Sequence, residues 1–144
     1  MGQLALERPL LEQFTKLIDQ VSDDGVADFA VLQTQPFIRF WPNLVIYRHE
    51  PDARDFRILL FGTKVATNYE KDWSGLLVKD SGFGKGYETI YNVNMGLISG
   101  GNQRLADSGT FNFQNRDHVN WYEIKMPLRR NGEINEVLVI MDFN

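Results

Sequence analysis

The chain has 144 residues, no cysteine, and 19 Asp and Glu against 15 Lys and Arg, for a formal net charge of −4. That length suits one hydrophobic core and so one domain. The acidic balance leaves no basic footprint for nucleic acid, and the lack of thiols excludes disulfides, thiolate catalysis and Cys-ligated metals.

The opening stretch from Met1 to Phe14 has no basic start followed by an unbroken apolar run. No segment approaches the roughly 18 apolar residues that cross a bilayer. A cytoplasmic protein without membrane contact is expected. Leu10, Leu11, Phe14, Leu17, Ile18 and Val21 recur at helical spacing with polar residues between them, and Pro9 suits a first turn. The predicted helix ends at Ser22-Asp-Asp-Gly25, where Gly25 accepts a left-handed conformation. Its apolar stripe either packs on its own domain or contacts a partner, with a homodimer as the expected assembly. Residues 1–35 are read as this helix and an entry segment, and residues 36–144 as the main domain.

Pro36 and Pro42 suggest an extended entry into a first strand, Asn43 to Glu50, which turns at Pro51-Asp-Ala-Arg54 into a second, Asp55 to Gly62. The second run is apolar enough to be covered on both faces or to lie at the sheet centre. A short helix from Lys64 to Tyr69, a connecting turn from Trp73 to Asp80 and a longer helix from Tyr87 to Ile98 follow. Gly100-Gly101 stops the last of these. Three strands close the chain, Arg104 to Gln114, Val119 to Arg130 and Glu133 to Phe143, joined by Asn115-Arg-Asp-His118 and by Asn131-Gly132. Asn-Gly is a strong hairpin signal because both residues accept positive φ.

Little of this carries catalytic chemistry. His49 at a strand end and His118 in a turn read as surface residues rather than metal ligands. Ser81-Gly-Phe-Gly-Lys-Gly86 lacks the Ser or Thr after Gly-Lys that a phosphate loop needs, and reads as a loop beside a cavity entrance. Arg129-Arg130 reads as a solvated hairpin end. Serines 22, 74, 81, 99 and 108 show no nucleophile elbow. No catalytic and no metal-ligating residue is assigned; a buried carboxylate, Asp107 or Glu123, is the residual route to catalysis. Aromatic residues make up 12% of the chain, which favours a sheet-rich core or an aromatic-lined pocket. Tyr69, Trp73, Tyr91, Met95, Phe111, Phe113 and Tyr122 are the candidate ligand-binding residues.

Phe56-Arg-Ile-Leu-Leu-Phe-Gly62-Thr63, followed by a short helix and Asp72-Trp-Ser-Gly75, resembles the segment of the bacterial PAS-like family in which an "RLVGT" strand precedes a "G-x-D-x-TG" element. Pro127-Leu128 with Gly132 resembles that family's closing "PL…DG" hairpin. The resemblance spans roughly Phe40 to Phe143, with Leu59 where the family commonly has Arg. It implies an α+β fold: a five-stranded antiparallel sheet in the order 2-1-5-4-3, with helices over one face and a ligand cavity between. It also implies a stand-alone sensory or regulatory domain, acting in signal transduction on a small-molecule ligand or a signalling partner. The cofactor stays unknown. Covalent flavin or a Cys-linked chromophore requires the missing cysteine, and haem wants a histidine that the long helix lacks. A small cavity enzyme of the isomerase or hydratase type and an adaptor with a filled core are the alternatives.

Overall fold

The computed structural model of the chain describes residues 7–100, 103–111 and 119–144. Gly101, Phe113 and the expected turn at residues 115–118, with His118, lie outside the described residues. Helix α1 (Pro9–Val21) starts with proline in its first turn, where the missing N–H has no intrahelical partner to lose. Leu11, Phe14 and Ile18 are fully buried, whereas Val21 stands 42% exposed. Leu10 and Leu17 pack at the margin of the same cluster, which holds Phe37, Phe40, Leu44, Leu138 and Ile140. Withdrawing the three buried side chains would forgo roughly 2 to 3 kcal/mol each, a sum comparable with the whole stability of a domain, about 5 to 15 kcal/mol. Of the two readings of the stripe, packing on its own domain is the one that Leu11, Phe14 and Ile18 follow.

After α1, Asp23 and Val26 exchange two backbone hydrogen bonds of 3.0 Å. Between them Asp24 and Gly25 take φ of 55° and 79°, the positive values of a tight primed turn. Strand β1 (Ala27–Asp28) follows and pairs in parallel with Leu128 and Arg129. Asp28 then caps α2 (Phe29–Leu32) by accepting from the Ala30 N–H at 2.9 Å. Pro36 lies in the first turn of α3 (Gln35–Ile38), and Pro42 lies in a 3₁₀ turn, Trp41–Asn43. The expected extended entry is thus helical, because proline is tolerated at a helix start as readily as in a strand lead-in.

Strands β2 (Leu44–Glu50) and β3 (Asp55–Phe61) form the first hairpin, and α4 (Thr63–Tyr69) leaves it. Helix α5 (Tyr87–Ser99) precedes β4 (Leu105–Thr110), β5 (Asn120–Arg130) and β6 (Glu133–Phe143). The turn between β5 and β6 holds Asn131 and Gly132 at φ 55° and 81°, as its Asn-Gly sequence requires.

The fold is α+β, but its sheet differs from the expected five-stranded antiparallel one. Among the described residues it has six strands and is mixed, in the order β1-β5-β6-β2-β3, with β4 also pairing β5. The added parallel strand is β1, two residues whose type carries no strand periodicity. Strand β6 lies between β2 and β5, so the C-terminal strand occupies the middle. Strand β3 lies at the end of the order rather than in the centre, but it is covered on both faces as the alternative expectation had it, with Phe56 and Ile58 in one cluster and Leu59 and Leu60 against the other. Its outer edge is covered by the segment after α4: the Ile58 N–H donates to the Leu76 carbonyl and the Gly75 N–H to the Ile58 carbonyl, at 2.8 and 2.7 Å. Buried Asp55 anchors the same segment by accepting from the Lys79 N–H at 2.9 Å.

Helices cover both faces of the sheet, not one. Leu44, Ile46, Ile124, Met126, Leu128, Leu138 and Ile140 join the cluster under α1, α2 and α3. Val45, Tyr47, Val137, Val139 and Met141 join the cluster under α4 and α5. Successive strand residues alternate between these clusters, as the two-residue pleat demands. Arg130 is no solvated hairpin end. It forms a two-point pair with Glu136, 2.8 and 3.0 Å, and its guanidinium lies 3.6 Å from the Phe29 ring centroid.

Gly62, where β3 passes into α4, has no room for a side chain: a Cβ there would overlap the carbonyl oxygens of Trp41 and Pro42. Both neighbours are backbone and cannot swing aside. Gly62→Ala is expected to lower the unfolding free energy by about 2 to 3 kcal/mol. Urea denaturation would show it as a lower midpoint with the same slope.

Candidate functional site

Between the sheet and α5 lies a cavity of about 770 Å³, within the size range of small-molecule sites. Strand β5 supplies its floor. Ile124, Met126 and Leu128 of β5 are buried in the cluster under α1, so the pleat turns Trp121, Glu123 and Lys125 toward α5, and all three line the cavity. Antiparallel pairing sets Asp107 opposite Glu123 and Leu105 opposite Lys125. Met141 of β6 and, beyond it, Tyr47 of β2 complete the floor, while Thr89, Ile90 and Val93 of α5 form the roof.

The walls are aromatic. The Tyr69 ring centroid lies 5.3 Å from Trp73, 5.2 Å from Phe83 and 4.8 Å from Phe111, and Trp73 and Phe83 are 4.8 Å apart. These are mostly edge-to-face contacts, the favoured arrangement for aromatic quadrupoles. Gly109 allows the wall to close on β4, since a Cβ there would stand 2.6 Å from the Trp121 ring.

Of the residues singled out from the sequence, Tyr69, Trp73 and Phe111 line the cavity. Tyr91 and Met95 pack in the same core but are not among the described lining residues. Tyr91 instead lies against His49 and Phe56, with centroids 6.1 and 5.8 Å away. Tyr122 is on the opposite face of the sheet, with the Arg8 guanidinium 4.5 Å from its ring centroid. One residue of offset along a strand reverses the side chain, and without the register that face is not legible. Phe113 lies outside the described residues. Sequence reasoning missed Tyr47, Phe83, Trp121 and Lys125 as lining residues and kept Glu123 only for a catalytic alternative. Polar residues at alternate positions of an otherwise apolar strand were the available signal.

His49 is half-buried rather than a surface residue, and its Nε2 is buried without a hydrogen-bond partner. The loop from Ser81 to Gly86 does border the cavity through Gly82, Phe83 and Gly86. Its backbone is closed into turns: the Gly84 N–H donates to Ser81 and the Gly86 N–H to Phe83, at 3.0 and 2.9 Å. Those donors are taken, which removes the cradle an anion would need.

Charge sets this site apart from ordinary core. Lys125 is 7% exposed. Its Nζ donates to the Asn94 Oδ1 at 3.2 Å and lies 5.5 Å from the Tyr47 ring centroid. Burial pulls its pKa down from the ordinary lysine value, while Glu123 and Asp107 act the other way. Burial likewise pushes the Glu123 carboxyl up; Lys125 opposes that and Asp107 adds to it. The Tyr47 and Tyr69 hydroxyls are held above their ordinary value, by burial first and by the Glu123 charge second. Asn94 is fully buried and its Nδ2 has no partner.

Among the described residues no group of three or more His, Cys, Asp or Glu is placed to hold a metal ion, and no helix is long and apolar enough to cross a membrane. No family model matches the chain, and no curated protein matches it.

Because its folded pKa is raised, Glu123 keeps its proton in the folded chain at pH values where the unfolded chain has released it. Stability is therefore lost as pH rises from the ordinary carboxylate value, near 4.5, through the folded value. Glu123→Gln is expected to melt higher than the parent at about pH 8 and to match it at about pH 4, where both states of the parent are protonated. Thermal melts across that range check the sign.

Proposed function

We propose that the chain is a PAS-like sensory module that binds a small molecule between its sheet and α5. The observation that carries this reading is the cavity itself: it is bounded by aromatic side chains, and the charged Asp107, Glu123 and Lys125 line it together. Folding gains nothing from putting Lys125 and Glu123 there, since both are held away from their ordinary ionisation by burial. A bound ligand supplies what the apolar walls do not. The segment from Phe56 to Gly75 also supports the family reading, because its glycine at 62 and its turn at Gly75, with φ 88°, meet backbone requirements of this fold. A filled-core adaptor is disfavoured by a cavity of this size.

A second reading draws on the same floor. Glu123 is a carboxylate with a raised pKa facing a cavity, the property that a general acid or base of an isomerase or hydratase needs. Binding is preferred because the other charged groups described in the lining are tied to protein partners: Lys125 donates to Asn94, and Asp107 accepts from the Ser108 N–H at 2.8 Å.

Native mass spectrometry of the purified protein, compared with the denatured mass, tests the binding reading. A copurifying molecule of a few hundred daltons is expected for the parent chain. Val93→Trp, which fills the space under α5 from a lining position, is expected to keep the fold by circular dichroism and to lose the adduct. An adduct retained in that variant would move the binding site elsewhere.

A further inference from the structure

Among the described residues that line the cavity the charges are unbalanced, and their partners are unequal. Lys125 is engaged within the protein, with the Asn94 Oδ1 at 3.2 Å and the Tyr47 ring at 5.5 Å. Glu123 accepts no hydrogen bond among the described residues, although it lies half-buried on the floor. Asp107 stands directly opposite it on β4, and like charges facing each other across a strand pair oppose folding. The formal sum over Asp107, Glu123 and Lys125 is one negative charge, set among the rings of Tyr47, Tyr69, Trp73, Phe83, Phe111 and Trp121.

From this arrangement we infer that the cavity takes an organic cation, a primary amine on an apolar or aromatic body, with its charged end between Asp107 and Glu123. The inference rests on the binding reading above and assigns the ligand its charge. An ammonium group supplies the donors that the Glu123 carboxylate lacks. It also separates two like charges that otherwise face one another. Aromatic walls favour the same sign, because the negative face of a π system attracts cations and does so more strongly once water is excluded. A neutral ligand would leave the Asp107–Glu123 repulsion in place. An anion would add a third negative charge, and among the described lining residues Lys125 is the single cation set against all three. The rest of the cavity accommodates the body: Ile90, Val93 and Met141 offer apolar contact on the roof and floor.

Matched probes test the charge apart from the shape. Tryptamine, tryptophol and indole-3-acetate share a ring system and differ at the terminus, as do phenethylamine, 2-phenylethanol and phenylacetate. Calorimetric titration of the whole chain is expected to rank each set as amine, alcohol, acid, with the amine ahead of the alcohol by about tenfold. Glu123→Gln is expected to cost the amines roughly tenfold and leave the alcohols unchanged, and Asp107→Asn to cost the amines less. The Gln substitution removes a destabilising charge, so loss of folding is not a concern. If an alcohol or acid binds as tightly as its amine, or if the amines are unaffected by Glu123→Gln, the cation assignment is overturned while the cavity reading stands. Absence of binding by all six probes also overturns it, and the copurification experiment above then decides the cavity reading independently.

Discussion

Strand β6 is the constraint on which the rest of the structure depends. Residues 136–141 are buried in an unbroken run, with Val137, Val139 and Met141 turned to one face and Leu138 and Ile140 to the other. A strand buried on both faces and paired along both edges obliges the chain to supply two apolar covers. The N-terminal segment provides one through α1, α2 and α3, and the insert between β3 and β4 provides the other through α4 and α5. This explains why α1 is held so firmly. It is half of the shelter for the central strand, and its removal would expose Leu138 and Ile140 together with its own stripe.

The same constraint gives the polar floor its meaning. Where β6 is apolar on both faces, its neighbour β5 carries Ile124, Met126 and Leu128 on one side and Glu123 and Lys125 on the other. The alternation expected of a strand with one solvated face therefore appears on a strand that a helix covers. Such a departure from local rules costs stability, as the shifted ionisation of both groups shows. Departures of this kind gather where a protein does something besides fold. Glu136, by contrast, is a buried carboxylate with a full structural answer in Arg130, so burial of charge alone does not mark a site. The difference lies in whether the protein satisfies the group by itself.

Much of the framework was legible from local chemistry. The period of α1, the Asn131-Gly132 turn, the helix from Tyr87 and the strands from Leu44 onward follow from spacing and turn residues, which act over a few positions. Tyr69, Trp73 and Phe111 were found as wall residues because a ring next to a helix end or on a strand rarely avoids the core. Tyr91, Met95 and Tyr122 came from the same reasoning and lie elsewhere, since ring type says nothing about the direction of a side chain. Glu123 and Lys125 were hardest to recognise as a floor, because a polar residue on a strand ordinarily faces water.

By itself, then, the sequence determined the periodicities, the turn positions and the exclusion of thiol chemistry, each set by the backbone preferences or chemistry of individual residues. Tertiary structure alone decided that α1 is interior packing, that β1 adds a parallel strand to β5, that β3 sits at an edge under a protective segment, and that Asp107 faces Glu123 over a cavity. These are outcomes of register and layer order. They depend on which apolar faces meet across long separations in the chain, and a one-residue slip in pairing would have turned the Glu123 and Lys125 floor away from α5.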